Sequence, residues 1–294
     1  MEALRQFLSE HSSNGLIPWT AEMAAAQHFG LSYADVEDAA LGADLLPTRY
    51  QRNQKTISVE NQRTLLHSRV VVVGCGGLGG YILEELARIG VGTLVAVDPD
   101  VFEECNLNRQ ILATLMTVGC AKVSAAQRRI AEINPSVKLI PIHAAYEPEK
   151  AAKFFEGANV VVDALDSIPT RLALAESCRQ LCLPLVHGAI AGWYGQLTTQ
   201  CPGEGTLALL YGRANETKGV EQSLGNPAFS PAIVASIEAA EVCKLLLHAG
   251  KPLRNRVLAI DLLDMTFDEI DMSQRGGLTP GKCETGNGTC SEPN

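Results

Sequence analysis

The feature that most constrains the fold is an apolar run at residues 70–73 that leads directly into the glycine-rich segment GCGGLG at residues 74–79. An amphipathic stretch follows, with Leu83, Leu86 and Ala87 on one helical face, and a second apolar run, TLVAVD, comes after it. Apolar runs bounded by turn residues are typical of buried strands, and spacings of three and four are typical of helices. This part of the chain therefore predicts a strand, a helix and a second strand, the βαβ unit.

The same alternation continues downstream. Residues 121–133 place Val123, Ala126, Ile130 and Ile133 at helical spacings, and further apolar runs and one more helix follow in the order KLIPI, VVVDAL, a helix near residues 170–180, and LPLVHG. Alternating strands and helices favour a parallel sheet with helices on both faces. We therefore expect an α/β fold with a doubly wound, Rossmann-like, mostly parallel sheet.

The N-terminal part of the chain has a different character. Residues 1–45 predict a small helical extension, in which two short helices are joined at Gly30. One large domain is expected over residues 46–272, and residues 273–294, which are rich in Gly, Thr, Asn and Pro, predict a disordered tail.

The C-terminal third departs from the alternation after Gly192. The segment GQLTTQ predicts a strand, and the weakly patterned residues 202–227 predict a mobile loop. A strongly apolar helix is expected next, buried or shared between subunits, with Ser230 as its N-cap and Pro231 at its first position. RVLAID and TFDEIDM predict two closing strands, which form an added antiparallel C-terminal portion of the sheet.

Composition excludes some classes of function. The 294 residues carry a formal net charge of −9, and residues 1–45 contain Arg5 as their only lysine or arginine. Because phosphates and anionic lipid repel acidic surfaces, nucleic acid is a disfavoured partner, although the N-terminal pattern also fits a helix-turn-helix. With no basic region before an apolar run at the N-terminus, and no apolar stretch of about 18 residues, we expect a cytoplasmic protein that does not bind membranes. The nine cysteines predict reduced thiols rather than a disulfide framework.

The glycine segment predicts a nucleotide site. Gly74, Gly76 and Gly79 satisfy G-x-G-x-x-G between a strand and a helix, and with Gly77 they let backbone N–H groups and the helix N-terminus meet phosphate oxygens. Asp98, at the end of the second strand, suits an acceptor for a ribose hydroxyl. These two features alone fit an NAD-dependent oxidoreductase equally well.

Charged residues downstream favour a triphosphate. The segment CNLNRQ supplies three donors, Asn106, Asn108 and Arg109, where a dinucleotide enzyme needs few. Lys122, at the start of the next helix, is placed to reach back toward the same phosphates, or it is a solvated surface lysine. The chain contains no G-x-x-x-x-G-K-[ST] segment, which excludes a P-loop ATPase.

Two aspartates follow the strand VVVDAL at the carboxyl edge of the sheet, where open α/β sheets bind ligands. Magnesium is usually held by one or two carboxylates together with substrate phosphates. Asp166 is therefore the candidate magnesium ligand, and Asp163 is either its supporting neighbour or the cap of the following turn.

Several motifs in one order carry a resemblance to a known family. The chain contains RYQRN, GCGGLGG, VDPD, NLNRQ, VGCAK, DALDS, PLVHGAIAGWYGQL and SPAIVASIEAAEVCKLL. Over about residues 49–272 it resembles the MoeB/ThiF/HesA branch of the ubiquitin-activating-enzyme superfamily. The resemblance implies a homodimer that binds ATP and Mg²⁺ and adenylates the C-terminal Gly-Gly carboxylate of a small ubiquitin-like sulfur carrier protein, releasing pyrophosphate.

The resemblance also implies roles for individual residues. The four glycines match the phosphate loop, Asp98 the ribose contact, and Asp166 the magnesium aspartate. The triphosphate contacts match Asn106, Arg109 and Lys122. Arg52 matches the arginine that the partner subunit inserts into the active site. We count Asn108 and Ser167 among the nucleotide-binding candidates, although Ser167 stands where molybdopterin-type enzymes tend to have Asn.

The chain departs from the family in its cysteines. Many relatives hold a structural zinc on two C-x-x-C pairs, but Cys283 and Cys290 are too far apart for such a pair, and Cys178 and Cys182 are spaced four apart. We expect no zinc. Some relatives carry a reactive cysteine in the crossover loop, at about residues 211–226, but this loop contains no cysteine here and Cys201 is the nearest thiol. The reaction is therefore expected to stop at the acyl-adenylate.

Three alternatives remain open at this point. The first is a tRNA threonylcarbamoyladenosine dehydratase, because the segment DALDS is closer to that branch of the superfamily. The second is an NAD-dependent oxidoreductase, which fits the glycine loop. The third is a protein that binds ATP as a scaffold without catalysing a reaction. The sequence specifies neither the carrier protein nor the final sulfur-containing product, nor the role of residues 1–45.

Overall fold

The computed structural model describes residues 2–212 and 221–273. Eight strands of this part of the chain form one sheet, and helices cover both of its faces. In chain order the elements are α1 (Glu2–Glu10), β1 (Leu16–Ile17), α2 (Trp19–Phe29), α3 (Tyr33–Leu41), β2 (Leu46–Pro47), α4 (Val59–Leu66), β3 (Arg69–Val73), α5 (Gly77–Ile89), β4 (Thr93–Val97), α6 (Lys122–Ile133), β5 (Lys138–Ile142), α7 (Ala151–Phe154), β6 (Val160–Asp163), α8 (Ile168–Gln180), β7 (Leu185–Ala191), β8 (Tyr194–Gln200), α9 (Thr206–Tyr211), α10 (Glu221–Leu224), α11 (Phe229–Leu247), β9 (Arg256–Asp261) and β10 (Thr266–Asp271). Short 3₁₀ turns occur at Thr48–Asn53, Glu104–Asn106 and Pro148–Lys150.

The sheet has the strand order β10-β9-β8-β7-β6-β3-β4-β5. Strands β5, β4, β3, β6 and β7 are parallel, whereas β7 through β10 pair antiparallel. The chain runs from β3 to β4 and β5 on one side and returns to β6 and β7 on the other. This reversal leaves a crevice at the carboxyl ends of β3 and β6, where such sheets bind ligands. The predicted doubly wound sheet with an antiparallel C-terminal portion is confirmed.

The alternating side chains of β3 divide the core into two layers. Val70 and Val72 pack with α5, α6 and α11, whereas Val71 and Val73 pack with α7 and α8. All four are at most 1% exposed, because a parallel strand with helices on both faces buries every side chain. The apolar run therefore indicates a strand in the centre of the sheet.

The N-terminal unit, which we define as residues 2–47, has an apolar cluster of its own. Gly30, at φ +65°, ends α2, and the Ser32 hydroxyl accepts a hydrogen bond from the Asp35 backbone N–H to begin α3, so the predicted pair of helices is confirmed. Helix α1 goes beyond the predicted pair and packs Leu4 and Leu8 into the same cluster. Strands β1 and β2 pair in parallel and close the unit.

Two expectations for the C-terminal part change. Helix α11 begins at Phe229, so Ser230 is not its N-cap; the buried Ser230 hydroxyl instead donates to the Gly192 carbonyl, a contact that local sequence does not show. The predicted mobile loop contains helix α9, because Leu207 and Tyr211 are buried against the sheet. Residues 213–220 of that loop, and residues 274–294 of the predicted disordered tail, lie outside the described residues.

Two further expectations concern cysteines and membranes. Cys182 is disulfide-bonded, so its interpretation as a reduced thiol is wrong, whereas Cys75, Cys178 and Cys243 are among the free thiols of the described residues. Within the described ranges, none of the helices has both the length and the apolar character that crossing a bilayer requires.

Candidate active site

The glycine loop connects β3 to α5 at the carboxyl edge of the sheet. Gly74 has φ +99°, and a Cβ there would lie 2.4 Å from the Ala164 carbonyl oxygen; a Cβ on Gly79 would lie 1.8 Å from the Gly74 oxygen. Packing alone therefore requires glycine at these two positions. A Cβ on Gly76 or Gly77 would meet nothing closer than 3.7 Å or 3.4 Å. The fold leaves space at these two residues, where backbone N–H groups at the start of α5 can face phosphate oxygens.

Asp98 lies beside this loop at the end of β4. Its carboxylate accepts hydrogen bonds from the backbone N–H groups of Cys75, at 2.7 Å, and Asp100, at 2.8 Å. Burial raises the pKa of Asp98, and the two N–H donors and nearby Lys122 oppose that rise. The carboxylate therefore fixes the glycine loop against β4, and its predicted contact with a ribose stays a prediction.

Lys122 is the first residue of α6 and points back over the same edge. Its side chain is only 8% exposed, and its Nζ donates to Asp100 Oδ2 at 2.8 Å. This is not the position of a solvated surface lysine. Because the Asp100 side chain is 61% exposed, the pair places one buried cation at the rim of the crevice beside the glycine loop.

The predicted donors of the NLNRQ segment are held by contacts near the segment and by one contact to Asn226. Asn106 is buried, and its Oδ1 accepts from the Glu103 N–H at 2.9 Å. The half-buried Arg109 donates through Nη1 to Asn108 Oδ1 at 2.9 Å, and Asn108 Nδ2 donates to the Asn226 carbonyl at 3.1 Å. The segment therefore reaches both the site and the crossover region.

Gln110 is a site residue that sequence reasoning missed. Its side chain is the nearest neighbour of a Cβ built on Gly76, with Nε2 at 3.7 Å. It is buried, and its Oε1 has no hydrogen-bond partner within the described ranges. A buried polar atom without a hydrogen-bond partner lowers the stability of the fold. Because Gln110 Oε1 lies beside the glycine loop, it suits a group that forms its hydrogen bond with a bound ligand. Its position directly after Arg109 is the only sequence signal for it.

The two predicted aspartates after β6 have different surroundings. Asp163 is fully buried, and its carboxylate accepts from His187 Nδ1 at 2.8 Å and from the Leu165 N–H at 3.0 Å. Asp163 is thus a turn cap and part of a buried pair rather than a supporting metal ligand. Asp166 is exposed at the carboxyl edge, and no hydrogen bond joins its carboxylate to another described residue. The neighbouring Ser167 hydroxyl accepts from Thr170 at 3.0 Å.

Comparison with known proteins identifies the family. A model described as the ThiF family matches residues 50–280. The chain belongs to the ThiF family. The SAMP-activating enzyme E1 of Haloferax volcanii is 40% identical over 226 residues, which are 76% of this chain and 84% of that protein. The sulfur carrier protein adenylyltransferase of Thermus thermophilus is 34% identical over 76% of this chain and 86% of its own length.

Longer relatives and solved structures extend the comparison. The chain spans about half (49%) of adenylyltransferase and sulfurtransferase MOCS3-1 of Zea mays, to which it is 35% identical. The crystal structure of E. coli MccB aligns with a TM-score of 0.68 at 21% identity, covering 82% of this chain and 74% of that chain. This structural likeness supports the ThiF-family fold.

Arg52, the arginine assigned by the ThiF-family resemblance, lies away from the glycine loop of its own chain. It belongs to the 3₁₀ turn Thr48–Asn53, in which Tyr50 OH accepts from Asn134 Nδ2 at 2.7 Å. Asn134 ends α6, and a Cβ on Gly90, at the end of α5, would lie 2.6 Å from the same hydroxyl. Because both helices start at the carboxyl edge and the 13 residues of α5 span about 20 Å, the turn lies at the opposite edge. The structure therefore does not bring Arg52 together with the other candidates of its own chain.

A buried polar network beneath the ThiF-family site was not predicted. His187 Nε2 lies 2.9 Å from Tyr211 OH, which also accepts from Gln196 Nε2 at 2.6 Å and Arg171 Nη1 at 3.2 Å. Burial lowers the pKa of His187, so the neutral ring donates from Nδ1 to Asp163 and accepts from Tyr211 at Nε2. The network fastens α9 to the sheet below the loop that carries Asp166.

Cys201, the thiol nearest in sequence to the crossover loop, is not an exposed nucleophile in this ThiF-family chain, whereas Cys105, in the 3₁₀ turn shortly before Asn108, is an exposed thiol. Cys201 is 2% exposed, and its backbone N–H donates to Glu204 at 2.9 Å. Cys283 and Cys290 lie outside the described residues. Within the described ranges, no group of three or more His, Cys, Asp or Glu side chains is placed to hold a metal ion.

Proposed function

We propose that this chain uses ATP to adenylate the C-terminal Gly-Gly carboxylate of a small ubiquitin-like sulfur carrier protein and releases pyrophosphate. The observation that carries the proposal is the buried Lys122 ammonium at the rim of a crevice that also holds the glycine loop and Asp98. Membership of the ThiF family and the names of the relatives, an E1 and a sulfur carrier protein adenylyltransferase, favour the same reaction.

The residues of the crevice fit a nucleoside triphosphate. Gly76 and Gly77 leave room for phosphates at the N-terminus of α5, and the unpartnered Gln110 Oε1 lies beside them. Lys122 and Arg109 supply positive charge, and Asp98 stands where a ribose hydroxyl can donate. The carrier's carboxylate is a weak nucleophile that must approach a polyanion, so neutralising charge and fixing orientation are the main tasks of the site.

The chemistry requires no acid–base residue. A carboxylate oxygen attacks the α-phosphorus, the bond from the α-phosphorus to the oxygen that bridges to the β-phosphorus breaks, and pyrophosphate leaves with that electron pair. The carboxylate and the pyrophosphate are both ionised, so no proton has to move. Lys122 and Arg109 favour the transition state by holding the charge that moves onto the leaving group.

Magnesium fits the site as a companion of ATP. Asp166 offers one exposed carboxylate at the carboxyl edge, and the described residues supply no closed set of ligands. This suits Mg²⁺, which is usually held by one or two carboxylates plus substrate phosphates. When bound at Asp166, the ion would supply further neutralisation of phosphate charge.

The proposal includes a homodimer in which Arg52 of each subunit completes the site of the other. Support comes from the position of Arg52, which is exposed at the edge opposite the glycine loop of its own chain, and whose guanidinium has no hydrogen bond to another described residue. In a two-fold dimer, a residue that cannot serve its own site can serve its partner's.

ATP–pyrophosphate exchange tests the reaction. We expect stimulation by a carrier ending in Gly-Gly and none by the same carrier without its last glycine. Arg52→Ala and Asp166→Ala should each lower the exchange by at least about 10²-fold, because one transition-state contact is worth that much. The exposed Arg128→Ala and Asp268→Ala serve as controls and should exchange normally. Stimulation by tRNA instead of a carrier would favour the dehydratase alternative, and no stimulation by either would leave the adenylation proposal without support.

A mixed dimer tests the shared site. Arg52→Ala and Asp166→Ala chains are co-expressed with different tags, and the heterodimer is isolated on both. One of its two sites then has an intact Arg52 and an intact Asp166, so about half of the wild-type exchange should return. A heterodimer as inactive as its parents would contradict the contribution of Arg52 to the partner's site.

A further inference from the structure

The function proposed above does not by itself assign a role to the N-terminal unit. The family match begins at residue 50, directly after Arg49, so the unit precedes the family domain. Part of its contact with the rest of the chain is made to the 3₁₀ turn Thr48–Asn53, the turn that carries Arg52.

Arg49 is held by two buried carboxylates of the unit. Its guanidinium, with the side chain 19% exposed, donates to Glu37 Oε2 at 2.6 Å and to Glu22, and it lies 5.3 Å from the Trp19 ring centroid. Glu22 and Glu37 are 2% and 0% exposed, and they come from α2 and α3. The planar fork of arginine can bridge two carboxylates, so one side chain fixes the turn to both helices.

The neighbours of Arg49 hold the turn from the other side. Tyr50 OH donates to Glu37 Oε1 at 3.0 Å and accepts from Asn134 Nδ2, and the Thr48 hydroxyl donates to the Ile17 carbonyl at 2.9 Å. Residues 48–50 are thus fixed to the unit and to the end of α6. Arg52 lies two residues farther along the same short turn and is exposed. Because a 3₁₀ turn is tight, the anchoring of residues 48–50 sets the direction in which Arg52 projects.

From these contacts we infer that the N-terminal unit positions Arg52 for the partner subunit's site, and that Arg49 is the positioning residue through which it acts. This inference rests on the proposed function, in which Arg52 completes the site of the other subunit. It gives the unit a role in the catalytic rate without any contact between the unit and the nucleotide.

The test uses Arg49→Lys, which keeps the positive charge but removes the fork that bridges the two carboxylates. The homodimer should lose about 10- to 100-fold in the maximal exchange rate, because small displacements of a catalytic group cost that much. Its KM for ATP should not change, since Lys122, Arg109 and the glycine loop are untouched. Arg63→Lys is the matched control: Arg63 also joins α3 to the family domain, through an ion pair with Asp38, but it lies on exposed surface away from the turn.

Heterodimers separate positioning from a general structural role. Arg49→Lys paired with Asp166→Ala should recover about half of the wild-type rate, because the intact Asp166 site then receives Arg52 from a subunit with a normal Arg49. A chain that carries both changes, paired with a wild-type chain, should stay at about half of the low rate of the Arg49→Lys homodimer, because only one slow site remains. If Arg49→Lys does not yield folded protein, Glu37→Gln, which keeps shape and an accepting oxygen, replaces it with the same expected pattern.

The outcomes distinguish this inference from the function on which it rests. An Arg49→Lys/Asp166→Ala heterodimer that stays inactive, while Arg52→Ala/Asp166→Ala recovers, would overturn the positioning role alone. Failure of both heterodimers would overturn the shared site and the inference with it. Equal losses from Arg63→Lys and Arg49→Lys would also overturn the inference, because the effect would then be general to the junction.

Discussion

Gly77 and Gly79 stand two residues apart in α5, and the structure gives them different reasons to be glycine. A Cβ on Gly79 would penetrate to 1.8 Å from the Gly74 oxygen, a backbone atom that cannot move without displacing the loop. A Cβ on Gly77 would make an ordinary contact with Pro231 at 3.4 Å. Gly79 is therefore needed for packing, whereas Gly77 is needed only where a ligand approaches.

The two positions should therefore respond differently to alanine. Gly79→Ala should lower the free energy of unfolding by at least about 2 kcal/mol, because overpacking displaces the backbone. Gly77→Ala should change it by less than about 1 kcal/mol, since alanine is the better helix former, but should weaken ATP binding at the N-terminus of α5. Urea unfolding and ATP titration of the two variants check this. Equal effects of both substitutions on stability would contradict the assignment.

Among the elements, α9 is joined to the sheet by the buried Leu207 and by the hydroxyl of Tyr211. Tyr211 lies at its last position and contacts His187, Gln196 and Arg171, which come from β7, β8 and α8. Tyr211→Phe should remove one hydrogen bond from each of these buried side chains and lower the free energy of unfolding by about 1–3 kcal/mol. The exposed Tyr194→Phe, on β8, is the control in the same urea titration. Unchanged stability of Tyr211→Phe would show that the network does not hold the helix.

The strands and long helices were predictable because their signals are local. The valine run of β3, the spacing of Val123, Ala126 and Ile130 in α6, and the turn at Gly30 each show in neighbouring residues. The network around Tyr211 was not predictable, because its hydroxyl meets a histidine 24 positions away that only the fold brings close. Ser230 failed as an N-cap for the same reason, since its hydroxyl found the Gly192 carbonyl 38 positions away.

The candidate site was predictable in part. The glycine loop, Asp98, Asn106, Arg109, Lys122 and Asp166 could be selected because motif and sheet topology place them at one edge. The burial of Lys122, the pairing of Asp163 with His187 and the presence of Gln110 beside Gly76 depend on packing between elements, which a pattern of residue types does not encode.

At the scale of the whole molecule, the junction between the N-terminal unit and the rest of the chain depends on pH. Burial, opposed by Arg49, raises the pKa of Glu22 from 4.5 to about 7, and burial also raises the pKa of Glu37. The carboxyl groups of Glu22 and Glu37 therefore bind their protons more tightly in the folded chain than in the unfolded chain. The contribution of Glu22 to stability therefore falls as the pH rises from about 4.5 to about 7, where Glu22 ionises in the folded state at a cost.

Replacing Glu22 by a residue that does not titrate should change the pH dependence of stability by a measurable amount. The free energy of unfolding of Glu22→Gln, relative to wild type, should rise by up to about 3 kcal/mol between pH 4.5 and pH 7 and then level off. Urea unfolding at several pH values checks the expectation. Asp271→Asn is the control: hydrogen bonds from Ser273 lower the pKa of Asp271, so the carboxylate stays ionised across this interval and the difference should stay flat. A flat profile for Glu22→Gln would show that the carboxylate does not titrate in this range.

The Arg49 contact with two carboxylates also limits how this protein can evolve. Loss of the arginine alone would leave two buried acids without their cation, and removing one partner of a buried ion pair costs about 3–5 kcal/mol. Single-step intermediates are therefore disfavoured, and Glu22, Glu37 and Arg49 should be gained or lost as a group. Arg49 belongs to the turn, whereas Glu22 and Glu37 belong to the N-terminal unit. A lineage that loses the unit must therefore also replace Arg49, the residue next to its catalytic domain.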